Sequence, residues 1–206
     1  MPTVILRLSL YRFSSPEKVN SIIPVDGKES FITAAQDATF RQWNVSEEEL
    51  FQSEIQKSQD DIPIKVCALN TDGEFLALGL ENGDIEFYRK DVILNPNHSE
   101  SQEWNYLTAI SAHDSEVTCL SWNKNIIASG GRDRFCHVID VQAHLEGDQH
   151  ATNPLKLHTA TVTAVNWVFD QFGNARLVTG GLDKEEYKFE QNNLFTAVVI
   201  PRVRAG

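Results

Sequence analysis

The stretch Ala128-Ser129-Gly130-Gly131-Arg132-Asp133-Arg134-Phe135-Cys136-His137-Val138-Ile139-Asp140-Val141 runs from small residues through an acidic turn into an alternating apolar segment. Its outline returns along the chain. A turn aspartate or asparagine is followed six residues later by an aromatic or apolar side chain in Asp37 to Trp43, Asn82 to Tyr88, Asp133 to Ile139 and Asp183 to Phe189. Successive anchors stand about 45 to 51 residues apart, close to the period of radial β architectures. Such units recur because none can bury both of its faces without a neighbour. The surfaces they make are suited to binding.

Outward from that stretch, the third unit reads as strands over Val117 to Trp122, Ile126 to Ser129 and Phe135 to Val141, with polar turns between them. The fourth copies it: Val162, Ala164, Val165 and Trp167 align with Val117, Cys119, Leu120 and Trp122, and Leu177 to Thr179 comes next. The second unit is Ile64 to Leu69, an Asp72-Gly73 hairpin turn, Phe75 to Leu78, and Ile85 to Tyr88. The first is Val19 to Val25, an Asp26-Gly27 turn, Phe31 to Ala35, and Phe40 to Val45. These readings divide the 206 residues into units over 16–60, 61–106, 107–153 and 154–195. Residues 196–206 are expected to begin a further, truncated unit, with a strand over Phe195 to Val203. Outer strands are poorly marked. Ser46 to Asp61 is acidic and reads as partly helical around Glu47 to Phe51, whereas Lys90 to Glu103 and Gln142 to Asn153 have loop composition. No long helix is expected.

A net charge of -11, from 29 acidic and 18 basic residues, argues against nucleic acid and anionic membranes, since phosphate binding needs a basic face. The acidic runs Glu47-Glu48-Glu49, Asp60-Asp61, and Asp183 with Glu185 and Glu186 read as solvated loops. Cys67, Cys119 and Cys136 are an odd number at strand-like positions and fit buried reduced thiols in a reducing compartment. The segment Met1 to Phe13 is broken by Arg7 and Arg12, so it reads as an alternating strand and not as a secretory signal. No stretch has the roughly 18 to 20 apolar residues that span a bilayer, and a cytoplasmic location is expected.

Chemistry concentrates at the turns. An acid or amide there can accept from unpaired backbone N–H groups and from a neighbouring imidazole. His113, Ser129 and Asp133 form one candidate set, and His158, Thr179 and Asp183 another. The first unit offers Thr33, Asp37 and Trp43 without histidine; the second has Asn82 and Tyr88, with Asp60 where histidine is expected. This resembles the Asp-His-Ser/Thr-Trp network of WD-repeat propellers, in which the aspartate is structural. The resemblance implies an all-β WD-repeat β-propeller of about four four-stranded antiparallel blades, incomplete and therefore open.

A narrower resemblance rests on Ala112-His113-Asp114-Ser115-Glu116-Val117-Thr118-Cys119-Leu120 together with Ala128 to Val141. Flanking segments agree in order: Ser30 to Thr33, Asp37 and Arg41 to Asn44 before it, then Thr161 to Val165 and Gly181 to Lys184 after it. These are similar to the second propeller of the mitogen-activated protein kinase-binding protein family, which includes the microcephaly-associated WD-repeat protein of spindle poles. The similarity covers about residues 19 to 190. It implies a non-catalytic scaffold for other proteins of kinase signalling (c-Jun N-terminal kinase) or of centrosomes and spindle poles. Family kinase-docking segments lie outside the propellers, so no such residue carries over.

The alternative within the binding class is a substrate receptor of a ubiquitin ligase. Its Trp-Asp-x-Arg signature is not met by Trp43-Asn44-Val45-Ser46 or by Ile139-Asp140-Val141-Gln142. An enzyme is less favoured, because no GxSxG elbow, P-loop, HExxH or dinucleotide fingerprint occurs. No catalytic, cofactor or metal residue is assigned, and Cys119 with Cys136-His137 lacks zinc-site spacing. Arg132, Arg134 and Lys184 flank the turn aspartates and are the candidate partner rim. Open blade edges are expected to favour self-association.

Overall fold

The computed structural model describes residues 15–25, 29–45, 50–94, 100–148, 150–156, 158–183, 186–192 and 194–199. They form four antiparallel sheets of four strands each, every sheet a plain meander. The first holds β1 (Val19–Val25), β2 (Ser30–Ala35), β3 (Thr39–Val45) and β4 (Leu50–Lys57). The second holds β5 (Ile64–Leu69), β6 (Phe75–Leu80), β7 (Asp84–Leu94) and β8 (Glu100–Ser111). The third is β9 (Val117–Asn123), β10 (Ile126–Gly131), β11 (Phe135–Asp140) and β12 (Thr152–Lys156), with a helix α1 (Val141–Leu145) between its last two strands. The fourth is β13 (Val162–Phe169), β14 (Ala175–Gly181), β15 (Glu186–Asn192) and β16 (Leu194–Val199).

Inner strands pack in succession, β1 on β5, β5 on β9 and β9 on β13. The fan is open, since β13 and β1 do not pack on one another as neighbours in that succession do. Three apolar clusters fill the spaces between sheets. Ile32, Ala34 and Phe40 meet Ile64, Leu76, Leu78 and Tyr88 at the first junction. Ala77, Ile85 and Phe87 meet Val117, Ile127 and Ile139 at the second. Ala128, Cys136 and Val138 meet Val162, Val165, Trp167 and Leu177 at the third.

The second strand of each later sheet explains this order. Its alternation sends large residues to the preceding sheet (Leu76 and Leu78; Ile127; Leu177) and small ones to the following sheet (Ala77 and Gly79; Ala128 and Gly130). Small residues let the next inner strand approach. A Cβ on Gly79 would lie 2.6 Å from Val117 Cγ1, and one on Gly130 would lie 2.6 Å from Val162 Cγ1. Among the described residues a Cβ on Gly180 would meet nothing within 4 Å.

Several expectations change. Leu50 and Phe51 open β4 instead of a helix, because the run to Lys57 alternates along a strand paired with β3; Glu47 to Glu49 lie outside the described residues. Lys90 to Leu94 continues β7, whose long ladder with β8 extends into what composition reads as loop. Residues 106 and 107 therefore sit inside β8, and 153 and 154 inside β12, so sheet limits differ from the unit limits read from sequence. Leu194–Val199 pairs with β15 as the outer strand of the fourth sheet, and does not open a further blade. Gln142–Leu145 is helical, with the Asp140 carboxylate accepting from Ala143 N at 3.1 Å as N-cap. The strand expected over Met1 to Phe13, the Asp26-Gly27 turn and residues 200–206 fall outside the described residues.

The other hairpin signal is in place. Asn70 Oδ1 accepts from the backbone of Glu74 and Phe75, both at 2.9 Å, and Gly73 takes φ of 72° at the tip. No helix among the described residues is long and apolar enough to cross a membrane. Gly79→Ala, which drives a methyl into Val117 and Val66, is expected to cost about 1–3 kcal/mol in urea unfolding. Gly180→Ala is expected to stay within about 0.5 kcal/mol.

Candidate functional site

The sequence-selected residues gather at the turns between the second and third strands. In the third sheet His113 Nδ1 lies 3.0 Å from both carboxylate oxygens of Asp133, and its Nε2 lies 2.9 Å from Ser129 Oγ. Backbone N–H groups of Asp114 and Phe135 also donate to Asp133, each at 3.1 Å. The fourth sheet repeats this with His158 Nδ1 at 3.0 and 3.1 Å from Asp183, Nε2 at 2.9 Å from Thr179 Oγ1, and Thr159 N donating to Asp183 at 2.7 Å. A carboxylate only accepts, so Nδ1 carries the proton in each imidazole and Nε2 accepts from the hydroxyl.

Space for the rings is built into the sequence. A Cβ on Gly131 would lie 2.3 Å from His113 Nδ1, and one on Gly181 would lie 2.5 Å from His158 Nδ1. Ala35 and Leu80 hold that register in the sheets without histidine. Gly83 has a comparable duty at the second-sheet turn: its φ is +100° and a Cβ there would fall 2.1 Å from the carbonyl oxygen of His113.

The first and second sheets replace the missing imidazole with residues that sequence reasoning did not select. In the first, Asp37 accepts from Thr39 N at 3.1 Å, Thr39 Oγ1 at 2.6 Å and Arg41 Nη2 at 2.7 Å. Arg41 Nη1 reaches Ser15 Oγ at 3.0 Å, joining the turn to the segment before β1. Trp43 Nε1 donates to Thr33 Oγ1 at 2.9 Å, completing the part expected from Thr33 and Trp43. In the second sheet Asn82 and Asp84 pair at the exposed turn, Nδ2 to Oδ2 at 2.6 Å, while Asp60 is exposed. The link falls to Glu86, which accepts from Gln59 N at 2.9 Å and from Tyr88 OH at 2.8 Å. Arg41 and Glu86 both stand four residues past the turn residue, and a charged side chain two positions before the strand's aromatic was the available signal.

Electrostatics match the geometry. Burial alone would raise Asp133, but donors from Phe135, His113 and Asp114 hold it below its ordinary value. Asp37 is held low in the same way, against burial, by Thr39 and Arg41. Glu86 shifts up, burial outweighing its two donors. Burial lowers His113 against the opposing pull of Asp133, and lowers His137 to about 4. Burial also pushes the Cys67 thiol up to about 12 and Cys119 to about 11.

Two chemical readings of the third-sheet cluster fail on access and valence. Ser129, His113 and Asp133 have the connectivity of a hydrolytic triad, yet Ser129 is 0% exposed and leaves no room for a substrate carbonyl. Atoms of His113, Asp133 and His137 lie within 4.8 Å of one another, as metal ligands would. Both nitrogens of His113 are already engaged, so an ion would have to dismantle the turn.

Of the expected rim, Arg132 is exposed and faces Glu116 at 3.7 Å, Arg134 is exposed at φ of 77°, and Lys184 lies outside the described residues. At the opposite end of the strands a groove of about 650 Å³ runs between Asn125 and Ile126, α1 and the Phe169 to Ala175 turn. Phe169 in its wall is 59% exposed, and Phe172, in the same turn, is 80% exposed. Composition does not reveal this groove, because α1 forms one wall and reads as loop.

Four-stranded meanders fanned about a common side define a β-propeller fold, here an open one of four blades, and in the third and fourth sheets the turn aspartate is tied to the loop before the inner strand. The family model "WD40: WD domain, G-beta repeat" matches residues 104–140, which comprise part of β8 together with β9, β10 and β11. One sequence repeat thus straddles two sheets. The chain is 28% identical over 187 residues to mitogen-activated protein kinase-binding protein 1 of Mus musculus, a match covering 77% of this chain and 12% of that protein. To WD repeat-containing protein 62 of Sus scrofa it is 25% identical over 197 residues, again 77% and 12%. It therefore spans about an eighth of the length of these relatives. The crystal structure of RRP9 WD40 repeats superposes with a TM-score of 0.68 at 15% identity, over 91% of this chain and 52% of that one.

Ser129→Ala would strand His113 Nε2, and a loss of about 1–3 kcal/mol is expected in chemical denaturation. Acid should destabilise the fold. His137 stays neutral when folded down to about 4, whereas the unfolded chain takes up its proton near 6.5. Stability should therefore fall through that interval, and less steeply in His137→Gln; identical pH slopes would refute the assignment. Asp133 adds a second loss as pH drops below its unfolded value of 3.8.

Proposed function

We propose that this chain is a non-catalytic protein-binding segment of a WD-repeat scaffold, engaging partners of kinase signalling or of the spindle pole in the cytoplasm or at the centrosome. The carrying observation is that the titratable cluster is spent internally while a mostly polar groove with Phe169 in its wall lies open. His113, His158, Asp133 and Asp183 satisfy one another and the backbone. Phe169 and Phe172 instead expose large apolar rings beside the groove, the kind of anchor that protein interfaces use. The relative whose name describes mitogen-activated protein kinase binding supports the kinase arm of this reading.

The partner is expected to bury an apolar side chain against Phe169 and Phe172. The arginine rim is the second surface to test, because Arg132 is exposed at the opposite end. Affinity capture should compare the wild type with Phe169→Ala/Phe172→Ala and Arg132→Glu/Arg134→Glu, using purified mitogen-activated protein kinases and spindle-pole proteins as prey. Loss of at least tenfold in affinity with the phenylalanine pair is expected. Equal capture by all three proteins would sink the groove assignment, and capture of neither prey class would sink the partner assignment.

A further inference from the structure

Four residues before the valine that opens the inner strand, the third and fourth sheets place His113 and His158, and the first sheet places Ser15. Val117, Val162 and Val19 set that register. Each imidazole ties its turn through two ring nitrogens, whereas Ser15 offers one hydroxyl, and Arg41 reaches across to it. Arg41 Nη1 donates to Ser15 Oγ at 3.0 Å while Nη2 donates to Asp37 at 2.7 Å. The Arg41 and Asp37 side chains are only 6% and 13% exposed. A nearly buried guanidinium thus aims one of its nitrogens at a neutral oxygen.

The residues after Ser15 add a second observation. Of the chain's seven prolines, Pro16 alone follows a serine or threonine, and Lys18 stands three residues beyond the hydroxyl. Serine, then proline, then a cation two residues further on is the pattern that proline-directed protein kinases of the cyclin-dependent class accept. Proline also biases the residue before it toward extended backbone, the form in which a kinase cleft takes a substrate segment. Ser15 is half-buried, Pro16, Glu17 and Lys18 are exposed, and the three apolar clusters include none of these four. Gln36 N holds the segment at Lys18 O, at 2.8 Å. Ser15 can therefore leave Arg41 without opening a core.

We propose that Ser15 is a phosphorylation site for a proline-directed kinase, and that Arg41 holds the resulting phosphate. In the transfer Ser15 Oγ attacks the γ-phosphorus of ATP. The Oγ–P bond forms as the bond to the β,γ-bridging oxygen breaks, ADP leaves with that electron pair, and the hydroxyl proton passes to the kinase's catalytic carboxylate.

The product carries about two negative charges where the hydroxyl was neutral. Arg41 then turns its planar fork to two phosphate oxygens, a pairing that guanidinium groups favour, while Asp37 keeps Thr39 N at 3.1 Å and Thr39 Oγ1 at 2.6 Å. Asp37 repels the phosphate from the far side of the guanidinium, over a longer distance than the attraction from Arg41 acts, so attraction prevails. Modification replaces a neutral hydrogen bond with a charged clamp between the loop before β1 and the turn between β2 and β3. The first sheet gains the two-point tie that His113 and His158 give to theirs. This regulation is independent of the partner that the groove takes.

The test incubates the 206-residue chain with ATP and a purified cyclin-dependent kinase with its cyclin, and locates phosphate by peptide mass spectrometry. Phosphate on Ser15 is expected, absent from that position in Ser15→Ala and reduced at least tenfold in Pro16→Ala. Phosphorus NMR of the modified chain then follows the second ionisation of the phosphate, folded and in urea. Because Arg41 favours the dianion, the folded chain should titrate with a midpoint about one pH unit below that of the unfolded chain. Arg41→Gln should remove that difference; should it not fold, Arg41→Lys, which keeps the charge without the fork, is expected to show a smaller one. No phosphate at Ser15, equal incorporation in Pro16→Ala, or a single midpoint for the folded and unfolded phosphate would each overturn the proposal.

Discussion

The close approach of one inner strand to the small-residue face of the sheet before it governs the rest of this structure. Val117 against Gly79 and Val162 against Gly130 allow no side chain between strand and strand. That contact determines which face of the second strand must be small and which can be large. It brings Trp122 and Trp167 within reach of carbonyls in the preceding sheet. Dispersion and burial over clusters of this size outweigh any single turn hydrogen bond, each of which contributes about 0.5–1.5 kcal/mol. The turn networks can therefore vary from sheet to sheet while the stacking stays constant.

That freedom explains the two kinds of turn. Where histidine precedes the inner strand, a glycine pair stands after the hydroxyl: Gly130-Gly131 after Ser129 and Gly180-Gly181 after Thr179. Gly130 faces the following sheet, and Gly131 and Gly181 make way for the imidazoles. Where histidine is lacking, the linking side chain comes instead from the third strand, as Arg41 or Glu86. These are not equivalent energetically. Arg41 and Asp37 form a nearly buried pair of opposite charges at 2.7 Å, whereas Glu86 relies on neutral donors and so shifts toward its protonated form. The second sheet compensates through its long β7–β8 ladder and the burial of Trp104 and Tyr88.

Inner strands are legible in the sequence because their signal is local: alternation, a turn residue and an aromatic at a fixed offset. Asp133, Asp183, His113 and His158 can be paired from spacing alone for the same reason. Outer strands are not, since β8 and β12 contribute to packing on one side and carry little periodicity, and β16 reads as the start of a new unit. The match over residues 104–140 shows the cause. A repeat in sequence ends after the third strand, so the outer strand of each sheet looks like the opening of the next repeat. Arg41 and Glu86 escape for another reason. Charged residues within a strand ordinarily read as its solvent face, and only a neighbour across the turn reveals that they are buried.

The groove between the third and fourth sheets arises from that same one-sidedness. An outer strand held on one side tolerates a long connection, and here the connection coils into α1, capped by Asp140. A helix of five residues has little stability of its own, so its position depends on Val141 packing into the junction below. Sequence change in the turn over Phe169 to Ala175 or on the outward side of α1 leaves that packing untouched. A binding surface placed there can diverge while the sheets beneath keep the constraint at Gly79 and Gly130, which is how a repeating fold can present different partners with one constant frame.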